Sequence, residues 1–220
     1  MDLNDRVKYP KTLHFPWSPG LQNDDRVLED PSCFNGKMVV MTEKLDGENT
    51  TMYRDAIHAR SVMDMASHPS RSYIQAIHSM IRSNIPDGWR ICGENLYAKH
   101  SIHYTNLYSL FCVFSIWDNR NYCLDWEETE YWCELLGLMT VPTIWSGMYD
   151  EAKIKDAFTF REVWNKGDEI EGYVVRNSGV FAFENFQTNV AKYVRKNHVQ
   201  TSEHWLKQSV VRNELYHDCD

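Results

Sequence analysis

The sequence predicts an α+β fold, a single domain of antiparallel β-sheets flanked by helices. Three observations predict it. Strand-like and helical runs interleave irregularly, without the strand–helix alternation of a doubly wound parallel sheet. Asp46-Gly47 and Asn177-Ser178-Gly179 each lie between apolar runs and read as hairpin turns. The 220 residues, 43% hydrophobic and 25% charged, have ordinary globular composition and show no repeat, low-complexity stretch or linker.

Each element has a local reason. Residues 9–20 hold three prolines and read as an extended arm whose aromatics pack onto the domain. Met38-Val39-Val40-Met41 and Thr50-Thr51-Met52-Tyr53 read as strands, and Ile57 to Ser61 as a short strand ending in a polar loop. Ile74, Ile77 and Ile81 recur at helical spacing over 70–83, and Pro86-Asp87-Gly88 turns the chain after them. Trp89 to Leu96 is a strand running into a loop, and the aromatic run from Tyr108 to Trp117 is a buried central strand. A helix over 126–136 has Asp125 as N-cap and Gly137 just past its end. Another helix is expected over 150–164, strands at 171–176, 180–183 and 189–196, and a short helix in the tail from Thr201. The division is a main domain over 1–200 and a helical tail over 201–220.

Net charge is −8, which excludes a protein that coats nucleic acid through a global basic field, though not one with a local basic groove. The six cysteines contain no C-x-x-C pair, so zinc ribbons and thioredoxin-type motifs are excluded and buried reduced thiols in a cytoplasmic protein are expected. No signal peptide or membrane-length apolar run is present. His14, His58, His100 and His103 lack metal-ligand spacing.

The chemistry centres on Glu43-Lys44-Leu45-Asp46-Gly47-Glu48-Asn49-Thr50. A lysine held at a sheet rim is either a solvated surface residue or, where its surroundings lower its pKa, a covalent nucleophile. Four further segments follow in order: Arg60 at a strand-to-loop position, Gly93-Glu94-Asn95, Glu171-Gly172-Tyr173-Val174-Val175-Arg176, and a strand carrying Lys192, Arg195 and Lys196. Residues 189–213 hold five Lys/Arg against the single acid Glu203; phosphate contact is the reading for the strand and a solvated helix face for Lys207 and Arg212.

From about residue 38 to 200 this ordered set resembles the covalent lysyl-nucleotidyltransferases, the DNA ligases, RNA ligases and RNA capping enzymes. Asn49, the arm at Tyr9-Pro10-Lys11-Thr12 and Lys192-Tyr193-Val194-Arg195-Lys196-Asn197-His198-Val199 look most like the ATP-dependent RNA ligase family. The resemblance implies a nucleotidyltransferase domain with an ATP-grasp-like ligase core, in minimal form without an OB domain, because only two dozen residues follow Lys196. It implies ATP with Mg²⁺, for which Mn²⁺ can substitute. Lys44 would attack the α-phosphate and Lys192 contact it, with nearby cations and burial disfavouring the charged amine. Glu171 would hold Mg²⁺ or its water. Glu43 would read the adenine edge, Asp46 and Gly47 shape the loop, Asn49 lie near the phosphates, Arg60 contact ribose or phosphate, and Glu94 accept from the ribose. Phe114 would stack on adenine, with Trp117 the competing assignment. Where many ligases show Lys-x-Lys, Val194 stands in the second place, and Arg195 or Lys196 would supply that charge toward nucleic acid. The implied reaction joins RNA 3′-OH and 5′-phosphate ends through lysyl–AMP and RNA-adenylate in RNA repair, beside an end-healing kinase–phosphatase. A DNA ligase, a GTP-dependent capping guanylyltransferase and an inactive nucleotide- or RNA-binding module are the alternatives.

Overall fold

The structure, a computed structural model, describes residues 6–22, 24–61, 69–160, 170–196 and 210–216. Two sheets face each other across a cleft. The first has five strands: β1 (Leu13–His14), β2 (Met38–Lys44), β9 (Thr143–Met148), β10 (Gly172–Asn177) and β12 (Val190–Val194), in the order β1-β12-β10-β2-β9. The second contains β3 (Glu48–Met52), β4 (Ile57–Ala59), β5 (Arg90–Asn95), β6 (Phe111–Trp117), β7 (Tyr122–Cys123) and β11 (Phe181–Ala182), in the order β11-β7-β6-β5-β3-β4, with β8 (Met139–Thr140) beside β6. Within the two sheets only β1–β12 and β6–β8 pair parallel, as the α+β expectation requires.

Side-chain alternation divides each strand between cleft and outer core. On β2, Val39 and Met41 join Tyr173 and Val175 of β10 in an apolar cluster. That cluster is covered by arm residue Phe15 and by Ile154 of helix α3 (Glu151–Phe160). On the other sheet, Ile91, Phe111, Val113 and Ile116 pack against Ile74, Ile77 and Ile81 of α1 (Ser72–Ile81) and Cys133 and Leu136 of α2 (Trp126–Leu136). The helix ends are as the sequence predicts. Asp125 Oδ1 accepts from the Glu128 amide at 2.7 Å, and Gly137 takes the left-handed conformation at φ 67°. The last residues of the expected 150–164 helix lie outside the described residues.

Three expectations need correction. Asp46-Gly47 does not close a hairpin: β2 and β3 belong to different sheets, and residues 45–47 carry the chain across the cleft. The Asp46 carboxylate is held by the 101–102 backbone instead of a hairpin ladder, and Gly47 abuts β5, where an added Cβ would lie 2.5 Å from the Asn95 carbonyl oxygen. Residues 177–179 likewise cross between sheets. There β10 pairs with β2 and β12 while β11 pairs with β7, and the Ser178 amide donates to the Met38 carbonyl. Third, of the expected C-terminal helix, residues 201–209 lie outside the described residues, and 210–216 run extended along the loop 96–107. A periodicity argument sees apolar positions and turn residues. It does not see which sheet the next strand joins.

Candidate active site

Lys44 is the last residue of β2, opposite Gly172 of β10, so its side chain leaves the sheet at the end of the cleft. Gly172 is required there, because a Cβ would fall 1.9 Å from the Tyr193 carbonyl oxygen of β12. Thr42, Val174 and Lys192 share one cross-strand row, which brings Lys192 to the same cleft face as Lys44. The cavity between the sheets, about 260 Å³, is lined by Glu43, Lys44, Asn49, Arg60, Glu94, Phe114 and Lys192 among others. Asp46, Gly47 and Glu171 are not among its lining residues, although Gly47 and Glu171 bond to Glu94 and Lys44, which are.

Lys44 Nζ donates to Glu171 Oε2 at 2.5 Å; the lysine side chain is 24% exposed and the glutamate 2%. Burial alone would lower the Lys44 pKa, but Glu171, Glu94 and Asp46 outweigh it and hold the ammonium above its ordinary range. This reverses the expectation that neighbouring cations lower it. Burial raises the Glu94 carboxyl to about 8 against the opposing pull of Lys44, and Glu94 Oε1 accepts from the Gly47 amide at 3.1 Å. Asn49 stands opposite Glu94 in the β3–β5 ladder, and its buried Oδ1 has no hydrogen-bond partner among the described residues.

Lys192 is pulled the other way, its pKa lowered by burial and by Lys44. Its Nζ lies 3.4 Å from Asp25 Oδ1, and Asp25 Oδ2 lies 3.1 Å from His14 Nε2. Sequence reasoning missed Asp25 and His14, which reach the site only because β1 pairs with β12. The Asp24-Asp25 pair after the proline-rich arm was the only signal.

The aromatic wall depends on a β-bulge. Cys92 of β5 stands opposite Ser115 and Gly93 opposite Val113, so Phe114 is the extra residue on β6. The bulge turns Phe114, Ser115 and Trp117 all to the cleft. Phe114 is half-buried, packed edge-on against Tyr9 of the arm at 5.0 Å, whereas Trp117 is 0% exposed with its indole N–H donating to Ser115 Oγ at 3.0 Å. Phe114 therefore presents the accessible ring. Arg176 spans the two sheets, donating to the Phe114 and Leu124 carbonyls at 3.3 and 2.7 Å.

Arg195 and Lys196 are not in the cavity wall. Arg195 Nε donates to the Ile170 carbonyl at 2.8 Å and its amide to the Glu171 carbonyl at 2.9 Å, which anchors the segment carrying Glu171. Val194 is covered by the arm: its amide donates to Ser18 Oγ at 2.9 Å, and its carbonyl accepts from the Gly20 amide at 3.0 Å.

The RNA ligase family model matches residues 37–194, more than half of the chain and the whole span from β2 to the end of β12. This chain belongs to the RNA ligase family. Its fold is similar to that of an archaeal ATP-dependent RNA ligase, with TM-score 0.55 and 16% identity over 85% of this chain and 48% of that one. A Naegleria gruberi RNA ligase with PPi gives TM-score 0.54 and 18% identity over 87% and 61% of the two chains. A putative ATP-dependent DNA ligase from Aquifex aeolicus gives 0.50 and 19% over 80% and 50%. The chain thus spans about half the length of the archaeal ligase. No sequence among the curated proteins matches it.

As an RNA ligase family member, the chain can be tested for fit to its expected ligands. Two lysines and the exposed Arg60 face a cavity that also offers the unpartnered Asn49 carbonyl, a donor set suited to a nucleotide. Among the described residues no group of three or more His, Cys, Asp or Glu could hold a metal. Glu171, in contact with Lys44, would be a single protein ligand for a Mg²⁺ whose other oxygen ligands would come from substrate phosphates and water. Among the described residues no helix is long and apolar enough to cross a membrane.

Proposed function

We propose that this chain is an ATP-dependent RNA ligase whose nucleotidyltransferase domain takes AMP from ATP onto Lys44. The observation that carries the reading is the convergence of Lys44, Glu94, Glu171 and Lys192, distant in sequence, at one end of a cavity that also presents Phe114. That ATP and Mn occupy a structure of a mutant Naegleria gruberi RNA ligase supports it.

In the proposed reaction adenine enters against Phe114, with Glu43 at its edge and Glu94 at the ribose. Lys192 and Arg60 meet the phosphates, and Asn49 accepts from a group near them. Glu171 and the loop at Asp46 aim the Lys44 amine. The amine gives up a proton to solvent, its lone pair forms the N–Pα bond, and the Pα–O bond to the β-phosphate breaks as pyrophosphate leaves. Glu171 would hold Mg²⁺, which would supply positive charge to offset the phosphates. The AMP then passes to an RNA 5′-phosphate, a 3′-OH attacks, and AMP is released. A role in RNA repair, in the cytoplasm and alongside an end-healing kinase–phosphatase, extends this reading.

The test is incubation with α-labelled ATP and Mg²⁺, followed by acid precipitation. Label bound to wild-type protein and missing from Lys44→Ala is expected; unlabelled wild-type protein, or equal labelling of the variant, refutes the assignment. Sealing assays on all-RNA and all-DNA nicks, with ATP or GTP, then separate RNA ligase from DNA ligase and capping activity.

A further inference from the structure

The segment 210–216 is bound to the loop 96–107 more tightly than a trailing end requires. The Lys99 amide donates to the Val211 carbonyl at 2.8 Å, the Asn213 amide to Tyr97 at 3.1 Å and the Glu214 amide to Tyr104 at 2.9 Å. The Leu107 amide donates to Glu214 at 3.1 Å and the Tyr216 amide to Leu107 at 2.8 Å. At the centre Asn213 is 0% exposed. Its Oδ1 accepts from the Tyr104 amide at 2.9 Å, and its Nδ2 donates to the Leu96 carbonyl at 2.8 Å and the Ala98 carbonyl at 3.4 Å. A buried amide with both ends used fixes the backbone around it, because a buried polar group left unpaired loses its hydration with nothing in return.

The loop so fixed holds Asp46 from two sides. The Tyr104 hydroxyl, fully buried, accepts from the Asp46 amide at 2.9 Å. The Asp46 carboxylate accepts from the Ser101 amide at 2.8 Å, the Ser101 hydroxyl at 2.5 Å and the Ile102 amide at 2.9 Å. Asp46 is two residues beyond Lys44, in the segment that crosses between sheets without ladder bonds of its own. Its place is therefore set by the 101–104 loop, and that loop's place by Asn213.

We infer that Asn213 and Tyr104 are positioning residues for protein adenylylation: the 210–216 strap clamps the loop that fixes Asp46 and thereby aims the Lys44 amine. The inference rests on Lys44 being the nucleophile. Neither residue lines the cavity, so on this inference half-saturating ATP should respond to them far less than the rate does.

The experiment measures label incorporation from ATP in the full chain, at varied ATP, for wild type, Tyr104→Phe and Asn213→Ala, with Tyr131→Ala on α2 as a control. Tyr104→Phe deletes only the oxygen that accepts from Asp46. Both positioning variants should lower the saturating rate by about tenfold to a hundredfold, the scale of a small misplacement of a reacting group. Half-saturating ATP should stay within about twofold, as expected when binding is untouched. Tyr131→Ala, 62% exposed on α2 and outside the strap, should leave both the rate and half-saturating ATP unchanged. Folded Tyr104→Phe that labels at the wild-type rate overturns the inference and leaves Lys44 as nucleophile. So does a loss confined to half-saturating ATP, or a rate loss in Tyr131→Ala equal to that in Tyr104→Phe. Wild-type protein that takes no label overturns the adenylyltransferase reading, and this inference with it. Should Asn213→Ala fail to fold, Tyr104→Phe decides alone.

Discussion

The two lysines of the cleft are held in opposite ways. Lys44 is ringed by carboxylates, Glu171 touching it and Glu94 and Asp46 nearby, and its charged form is favoured despite burial. Lys192, on the same sheet face, is disfavoured as a cation by burial and by Lys44, with Asp25 and, after it, Glu171 opposing them. The difference assigns the lysines different work. On the proposed reading, Lys44 would stay an ammonium until its carboxylates are engaged elsewhere, while Lys192 would gain from an arriving phosphate. Such a site would discourage amine chemistry without a nucleotide and favour it once one is bound.

The strongest way to break the comparison is Lys192→Ala. It should slow label incorporation by about a hundredfold to a thousandfold, the usual loss when one preorganised charge donor is removed from a transition state. Saturating-rate measurements check this, and a loss seen only in half-saturating ATP would make Lys192 a binding residue instead. Next comes Asp25→Asn, which removes the charged partner of Lys192. The rate should fall by about tenfold, the equivalent of one hydrogen bond to a charged group, with half-saturating ATP measured in parallel.

Glu171→Gln removes the carboxylate that most favours the Lys44 ammonium. Without ATP, acylation of Lys44 by an amine reagent, followed by peptide mapping, should rise at lower pH in the variant than in wild type. An unchanged profile would mean that Glu171 does not hold the amine charged.

The last test reads stability instead of rate. The Glu94 carboxyl is raised from 4.5 to about 8 on folding, so between these values the native state binds the proton and the unfolded chain does not. Stability contributed by this group therefore falls as pH rises from about 4.5 to 8 and is level outside that window. Glu94→Gln removes the dependence, so its Tm relative to wild type should climb across the same window. A constant difference would place the carboxyl at its ordinary pKa.

Much of this site was legible because its residues sit at strand ends with unusual chemistry. Lys44, Glu94, Glu171 and Lys192 stand on predicted strands, and alternation alone sends Lys44 and Lys192 to one face once the β2–β10–β12 register is known. Helix α2 was legible to its caps, since capping is decided by neighbours in sequence. The two apparent hairpins were not, because Asp46-Gly47 specifies a turn and says nothing of its destination. Choosing between Phe114 and Trp117 needed the bulge, an irregularity set by the partner strand. Asp25 and His14 were invisible because their role depends on β1 pairing with a strand more than 170 residues away in sequence, Leu13 with Ala191. Arg195 looked like a phosphate ligand by composition, yet its guanidinium is spent on the Ile170 carbonyl.

The strap also sets an order of events during synthesis. Asp46 and its loop emerge from the ribosome early, but Asn213 closes on Tyr104 across 109 residues of chain. A nascent chain growing from its N-terminus can form both sheets through β12 while the nucleophile loop still lacks its clamp. If the strap aims Lys44 as inferred, competence to react would arrive only with residue 213, as a late and discrete step.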